Sequence, residues 1–156
     1  MKEQGLTIVE ILLVVSLMAL LLSLASPAYN YFRTSTQLNE NTAQLTQALR
    51  LARQRSLAGY HNSAHGVWLE RNSGVDRYVI YQGSSYATRD TANDREVWLI
   101  NNLDLSFTDL TLINDDVDLN FSSGTGLPSD FGTINVQFGG RNKSIIINSA
   151  GLIEMQ

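Results

Sequence analysis

At 156 residues and 17.3 kDa, with 44% apolar and 17% charged residues, the chain has the size and composition of one folded domain, which excludes a disordered tail and a large multidomain enzyme. It has no cysteine, so a disulfide, thiolate zinc or iron–sulfur ligation and a catalytic thiol are excluded as well. A formal charge of −4 and a pI near 5.0 offer no attraction to a polyanion, and a nucleic-acid surface would need a local basic patch.

The first element is apolar. Ile11 to Ala25 is interrupted only by Ser16 and Ser23, and extended back to Leu6 it gives about 20 residues, enough to cross a bilayer core of about 30 Å as a helix. A cleaved secretory signal competes, because a short charged start precedes the run and small residues (Ala25, Ser26, Ala28) follow it. Glu10 weighs against that alternative: a carboxylate at bilayer depth costs on the order of 2.5–3.5 kcal/mol and needs a functional reason.

Gly5-Leu6-Thr7-Ile8-Val9-Glu10, followed at once by the apolar run, resembles the prepilin N-terminal cleavage and methylation motif of the type IV pilin class. The resemblance implies a leader of residues 1–5, cut after Gly5 on the cytoplasmic side by a prepilin peptidase. It also implies N-methylation of Leu6, where most members carry phenylalanine, and retention of the hydrophobic helix in the mature protein. A glycine at the cut lets an extended backbone approach a peptidase site closely. Glu10 would meet the free amine of a neighbouring copy, relieving the burial of both charges and setting the register between stacked subunits.

Beyond this anchor, a transmembrane half over 6–26, the pattern stays helical. Leu38, Leu45, Ala48, Leu49, Ala52 and Ser56 recur at three-to-four spacing, with Asn39, Glu40, Asn41, Gln47, Arg50, Arg53 and Gln54 mostly off that stripe, which makes 27–59 an amphipathic half. Pro27 removes a backbone donor and predicts a kink near the membrane exit. Gly59 is the natural stop. A continuous helix from about Thr7 to Ala58 would run about 75–80 Å, a long spine under a small head.

From His61 the period changes to two. Residues 66–69, 78–81, 97–100, 117–121, 134–138 and 145–147 read as strands, separated by turn signals at 72–74, 83–85, 122–126, 139–140 and 150–151. The expected fold class is therefore α+β: a long N-terminal helix whose amphipathic half packs on a small antiparallel β head of two sheets over 60–156.

Leu45-Thr46-Gln47-Ala48-Leu49-Arg50-Leu51-Ala52-Arg53-Gln54-Arg55-Ser56-Leu57-Ala58, followed by a strand through Val67-Trp68-Leu69, is similar to the "LxxARxxA" helix end of the GspH/FimT minor pseudopilins. The segment 144–153 is similar to that group's closing hairpin. Residues 70–130 match no pattern of the group, and Gly151-Leu152-Ile153-Glu154 stands where the group often ends in Gly-Arg-Val-Arg.

Chemistry-bearing patterns in the head are sparse. His61 and His65 are spaced as a metal pair on a helix, but they follow Gly59 in a loop-like stretch with no acidic residue placed as in a zinc peptidase motif, so ordinary histidines are expected. Asp115, Asp116 and Asp118 offer calcium-type oxygens, yet Phe121 and Leu127 stand where an EF-hand needs glycine and glutamate. A solvated polar face of a strand, shared by Asp116, Asp118 and Asn120, is the plainer reading. No phosphate loop, nucleophile elbow or serine triad appears, so no enzyme, no cofactor and no metal are expected.

The expectation is thus a single-pass inner-membrane protein with its head in the periplasm or on the extracellular face. The family resemblance implies a minor pseudopilin of a type II secretion system, whose partners are the prepilin peptidase, other pseudopilins or pilins, and the inner-membrane assembly platform. The alternative is a FimT-like minor type IV pilin acting in pilus assembly or DNA uptake. Charge separates the two: from Tyr60 onward six basic residues (Arg71, Arg77, Arg89, Arg95, Arg141, Lys143) face twelve acidic ones, and only Arg141-Asn142-Lys143 is a basic cluster, which argues against nucleic acid.

Overall fold

The computed structural model of the chain describes residues 7–72 and 74–156, excepting the side chains of 24–28. Among these residues it is α+β: one α-helix, α1 (Ile8–Leu57), two short 3-10 turns at Tyr60–Asn62 and Tyr86–Thr88, and nine strands, β1 (His65–Glu70), β2 (Arg77–Gln82), β3 (Asp90–Trp98), β4 (Leu103–Thr108), β5 (Leu112–Ile113), β6 (Asp116–Phe121), β7 (Gly132–Phe138), β8 (Arg141–Ile147) and β9 (Ile153–Met155). All pairings are antiparallel, in a five-stranded sheet of order β3-β2-β1-β6-β5 and a four-stranded sheet of order β4-β7-β8-β9. The chain divides into two compact units, Met1–Thr36 and Gln37–Gln156.

In the second unit the helical stripe is buried as its spacing predicts. Leu38, Leu45, Ala48, Leu49 and Ala52 join one cluster with the inward residues of both sheets, among them Val67, Leu69, Ile80, Leu105, Leu119, Ile134 and Ile145. The stripe also contains Thr42 and Thr46, both buried. Their hydroxyls donate to the carbonyls of Leu38 and Thr42 at 2.7 Å, which satisfies the polar atom inside the helix itself and lets it face an apolar core. Ser56 ends the stripe as a junction. Its hydroxyl accepts from the His65 N–H (2.8 Å) and its carbonyl from the Gly124 N–H (2.8 Å), so the helix end, the start of β1 and the 122–126 loop are tied at one residue. Gly59, at φ +62°, turns the chain out of the helix, and its N–H donates to the same Ser56 carbonyl.

Strands expected at 66–69, 78–81, 117–121, 134–138 and 145–147 all form. The strand expected over 97–100 instead occupies Asp90–Trp98, and Leu99 leaves it to enter the core. Its sequence, Asp90-Thr91-Ala92-Asn93-Asp94-Arg95-Glu96, carries no alternation because it is an exposed edge, where no face has to be apolar. β4, β5 and β9 were not separately expected; β9 completes the hairpin anticipated near the C-terminus.

Asp76 joins the two sheets. It is buried, accepting the Asn72 N–H at 2.9 Å with one carboxylate oxygen and the Leu105 N–H of β4 at 2.8 Å with the other, while its carbonyl accepts the Leu99 N–H at 3.0 Å. No local pattern in the sequence marks Asp76, because its role depends on which strand edge comes near.

Among the described residues no helix is long and apolar enough to cross a membrane. The described part of the apolar run, residues 7–23, rises about 25 Å as a helix, short of a core of about 30 Å. The span expected over 6–26 takes its remaining length from Leu6, which lies outside the described residues, and from 24–26, whose side chains do.

Replacing Asp76 by alanine strands the buried Leu105 N–H, releases the part-buried Asn72 N–H and should lower head stability by about 1–3 kcal/mol. Asp104→Ala, at an exposed site on β4, should stay within about 0.5 kcal/mol of wild type. Urea unfolding of the detergent-solubilised full chain, followed by fluorescence of Trp68 and Trp98, reads both; equal midpoints would contradict the inter-sheet role.

Candidate assembly site

The helix begins with a cap that the motif itself supplies. The Thr7 hydroxyl accepts the N–H of Glu10 at 3.3 Å, and the Thr7 carbonyl accepts the N–H groups of Glu10 and Ile11. Thr7 and Glu10 are thus the first and fourth residues of a capping-box spacing, a signal visible in the sequence that the leader-motif reading passed over. Glu10 sits exposed in the first turn, where the helix dipole favours a negative charge. Gly5 and Leu6, the expected cleavage and methylation positions, lie outside the described residues.

Past Glu10 the helix presents apolar side chains on every face. From Ile8 to Leu22 the large ones are all exposed, from 44% at Val14 to 76% at Ile8. The two serines in the run spend their hydroxyls internally, Ser16 on the Leu13 carbonyl (2.8 Å) and Ser23 on the Leu20 carbonyl (2.7 Å), which removes most of their demand for water. Glu10 is the one acidic or basic residue between Glu3 and Arg33. At Pro27, the expected kink, the backbone is assigned as helix without a break, while the side chain lies outside the described set.

In the head, the two segments that carry the GspH/FimT resemblance meet. The Arg50 guanidinium donates to the Ile153 carbonyl at 2.8 Å, and Arg53 donates to the carbonyls of Ala150 (3.2 Å) and Gly126 (3.3 Å), so the helix end clamps the C-terminal hairpin about 100 residues away. Asn148 shapes that hairpin, its side-chain oxygen accepting from the N–H groups of Ala150 and Leu152. Leu152 is left half-exposed at the tip.

His61 and His65 part company. His61 is exposed at φ +54° and stacks on Tyr60 at 4.1 Å, whereas His65 opens β1 and is buried, its Nδ1 without a hydrogen-bond partner. The loop expected around both therefore holds only for the first. Burial lowers the His65 pKa below 6.5, and the Arg55 charge lowers it further. No group of three histidine or acidic residues is placed to hold a metal ion among the described residues.

The face of Asp116, Asp118 and Asn120 is not the solvated surface that alternation suggested. Residues 83–89 fold over it: the Tyr86 ring stacks on Trp68 at 4.4 Å, and the Arg89 guanidinium lies 3.6 Å over Tyr86 and bonds Asp94 at 2.7 Å. Asp118 accepts the Tyr81 hydroxyl and, at 2.9 Å, the Tyr86 N–H. Asn120 donates to the Gly83 carbonyl at 2.8 Å. Burial, then the bond to Asp118, raises the Tyr81 pKa, so this phenol stays a donor. Asp116 is occupied by the Arg71 N–H at 2.9 Å, and Asp115 sits exposed in the turn between β5 and β6. With both Asp118 oxygens taken by protein donors, the three aspartates do not converge as a calcium shell. Gly66 makes the roof possible: a Cβ there would lie 2.3 Å from the Tyr81 hydroxyl oxygen.

Arg141 and Lys143 occupy alternate positions on β8, half-buried, and form the basic pair noted in the sequence. Compared with family models, with curated proteins and with solved structures, the chain matches none.

His65 makes the head acid-sensitive. Its folded pKa is lowered, so the unfolded chain takes up the proton first; this contribution to stability is whole above about pH 6.5 and is lost as pH falls from there through the folded pKa. Urea midpoints of the full chain between pH 7.5 and 5 should decline, and His65→Gln should flatten that decline even if it lowers the midpoint at pH 7.5. An unchanged slope in the variant would remove His65 as the cause.

Proposed function

We propose that the chain is a minor pseudopilin of a type II secretion system, processed by prepilin peptidase and assembled through its N-terminal helix into a periplasmic pseudopilus. The observation that carries this reading is Gly5-Leu6-Thr7-Ile8-Val9-Glu10 leading into a helical stretch, residues 8–23, that is apolar on all faces and has Glu10 as its one ionisable residue. Such a helix cannot stay in water: each fully exposed leucine or isoleucine forgoes about 1.5–3 kcal/mol of burial. Lipid covers it before assembly and neighbouring helices cover it afterwards. In lipid Glu10 is unfavourable, and in a stack it meets the amine at Leu6 of a neighbour, so the same carboxylate both biases the subunit out of the membrane and sets the stagger.

An α+β head with a helix packed on antiparallel sheets supports a pilin-like fold with a spine helix and a β head. The meeting of Arg50 and Arg53 with the hairpin at 150–153 supports the GspH/FimT placement. The second reading, a FimT-like minor type IV pilin in pilus assembly or DNA uptake, is favoured by Arg141 and Lys143 on one side of β8. The twelve acidic residues of the head and Leu152 at the hairpin tip oppose its DNA-binding form.

Coexpressed with a prepilin peptidase, the protein should lose Met1 to Gly5 and begin at Leu6 carrying one methyl group, as read by intact mass. A mature species starting near Tyr29 would instead identify an ordinary signal peptide and end the pseudopilin reading.

Glu10→Val should leave insertion intact while breaking a pairing on the order of 3 kcal/mol in the assembled state. Crosslinks to other pseudopilins should therefore fall with membrane content unchanged. Equal crosslinking of variant and wild type would remove Glu10 from subunit register.

A further inference from the structure

The four sheet edges of the head are unequal. β5 and β9 are edges of two and three residues, and β4 has its Leu105 N–H taken by Asp76. β3 is nine residues long; it pairs regularly with β2 over 95–98, a break in register between Ile80 and Gln82 separates that stretch from the pair at Asp90, and no strand among the described residues pairs with its outer side. Natural sheets usually blunt such an edge, and an open one is a template for an added strand.

Beside this edge lies a cleft of about 350 Å³ between α1 and strands β2 and β3. The register pairs Tyr78 with Val97 and Ile80 with Arg95, which puts these four side chains on the sheet face toward the helix. Ala48 and Leu51 of α1 complete an apolar floor, and Gln44 and Gln47, one turn apart, stand at its helical rim. The polar groups around the floor can all donate and are all unspent: Arg95 has no carboxylate partner, and the Tyr78 hydroxyl and the two amides make no hydrogen bond within the described residues. The neighbouring arginines differ, Arg77 bonding Glu70 (2.6 Å) and Glu96 (3.2 Å) and Arg89 bonding Asp94. Burial raises the Tyr78 pKa and keeps its phenol protonated. Unpaired donors around an apolar floor complement a carboxylate carried beside an apolar side chain.

We propose that the cleft between α1 and β3 receives an extended segment of a partner chain that adds a strand to β3, seats an apolar side chain on Leu51 and Val97, and places a carboxylate on Arg95. The main-chain bonds of the added strand supply affinity, and the Arg95 pair and the floor supply selection. Glu96 and Asp94 do not compete for the incoming cation-seeking group, being held on Arg77 and Arg89. The inference concerns the head alone and stands apart from the pseudopilin reading: failure of leader processing would leave it intact, and failure of the cleft would leave that reading intact.

The test uses the full chain in detergent micelles and a fluorescein-labelled short peptide alternating threonine and valine with one central glutamate, read by anisotropy. The peptide should bind saturably. Replacing its glutamate by glutamine, or Arg95 by glutamine in the protein, should each weaken binding about tenfold, the worth of one charge-assisted hydrogen bond. Methylating alternate backbone amides of the peptide should abolish binding, which separates strand addition from capture of a carboxylate alone. Arg95 is exposed, so Arg95→Gln should keep the wild-type urea midpoint. No saturable binding up to millimolar peptide, equal binding of the glutamate and glutamine peptides, undiminished binding to Arg95→Gln, or full binding of the methylated peptide would each overturn the proposal.

Discussion

The head is organised by the burial of one helical stripe. Leu38, Thr42, Leu45, Leu49, Ala52 and Ser56 recur at alternating steps of four and three, so they form a single line along α1, and the inner faces of both sheets close over it. Each leucine in that line contributes about 1.5–3 kcal/mol through burial alone. Because the two sheets share this cover and one core, the contacts that join them matter more than their size suggests. Asp76 bridges β2 to β4, Ser56 ties helix to strand, and Arg50 and Arg53 hold the last hairpin by its carbonyls. All of these involve backbone groups, so they pin the path of the chain and not merely a pair of side chains.

The opposite face of the five-stranded sheet has its own smaller core. Trp68, Val79 and Tyr81 are buried there under Tyr86, and Arg89 closes the stack from above. Every strand residue of β1 up to Leu69 is therefore buried, on both faces, which is unusual for an antiparallel sheet in a small head. The roof fixes the β2–β3 connection and leaves β3 as the outermost strand. An edge held this firmly from behind is better suited to receiving another strand than a frayed one, because less order has to be created on binding.

The two units make opposite demands on their surroundings. Residues 8–23 expose apolar side chains all round and place their serine hydroxyls in internal hydrogen bonds, while residues 37–156 gather an apolar core and carry most of their charge outward. Such a chain requires an apolar environment for the first set of side chains and water for the second. That physical requirement, more than any single residue of the head, is what makes an assembly role the natural reading. The carboxylate at Glu10, capped into the first turn by Thr7, is the feature that a mere anchor would lack.

Much of this was legible in the sequence. The heptad-like stripe, the stop at Gly59, five of the strands, the Gly139-Gly140 turn and the α+β class follow from local patterns, because periodicity records which side of an element faces the core. Thr42 escaped because a buried threonine looks polar until its hydroxyl is seen to bond one turn back. β3 escaped because an exposed edge has no face to encode. Asp118, Asn120 and His65 read as surface residues, and Asp76 carried no local signal, because their partners come from segments 9 to about 40 residues distant. Only tertiary structure decided those roles. A side chain's local pattern states how it sits on its own element, whereas its burial and hydrogen bonds depend on which other element is brought against it.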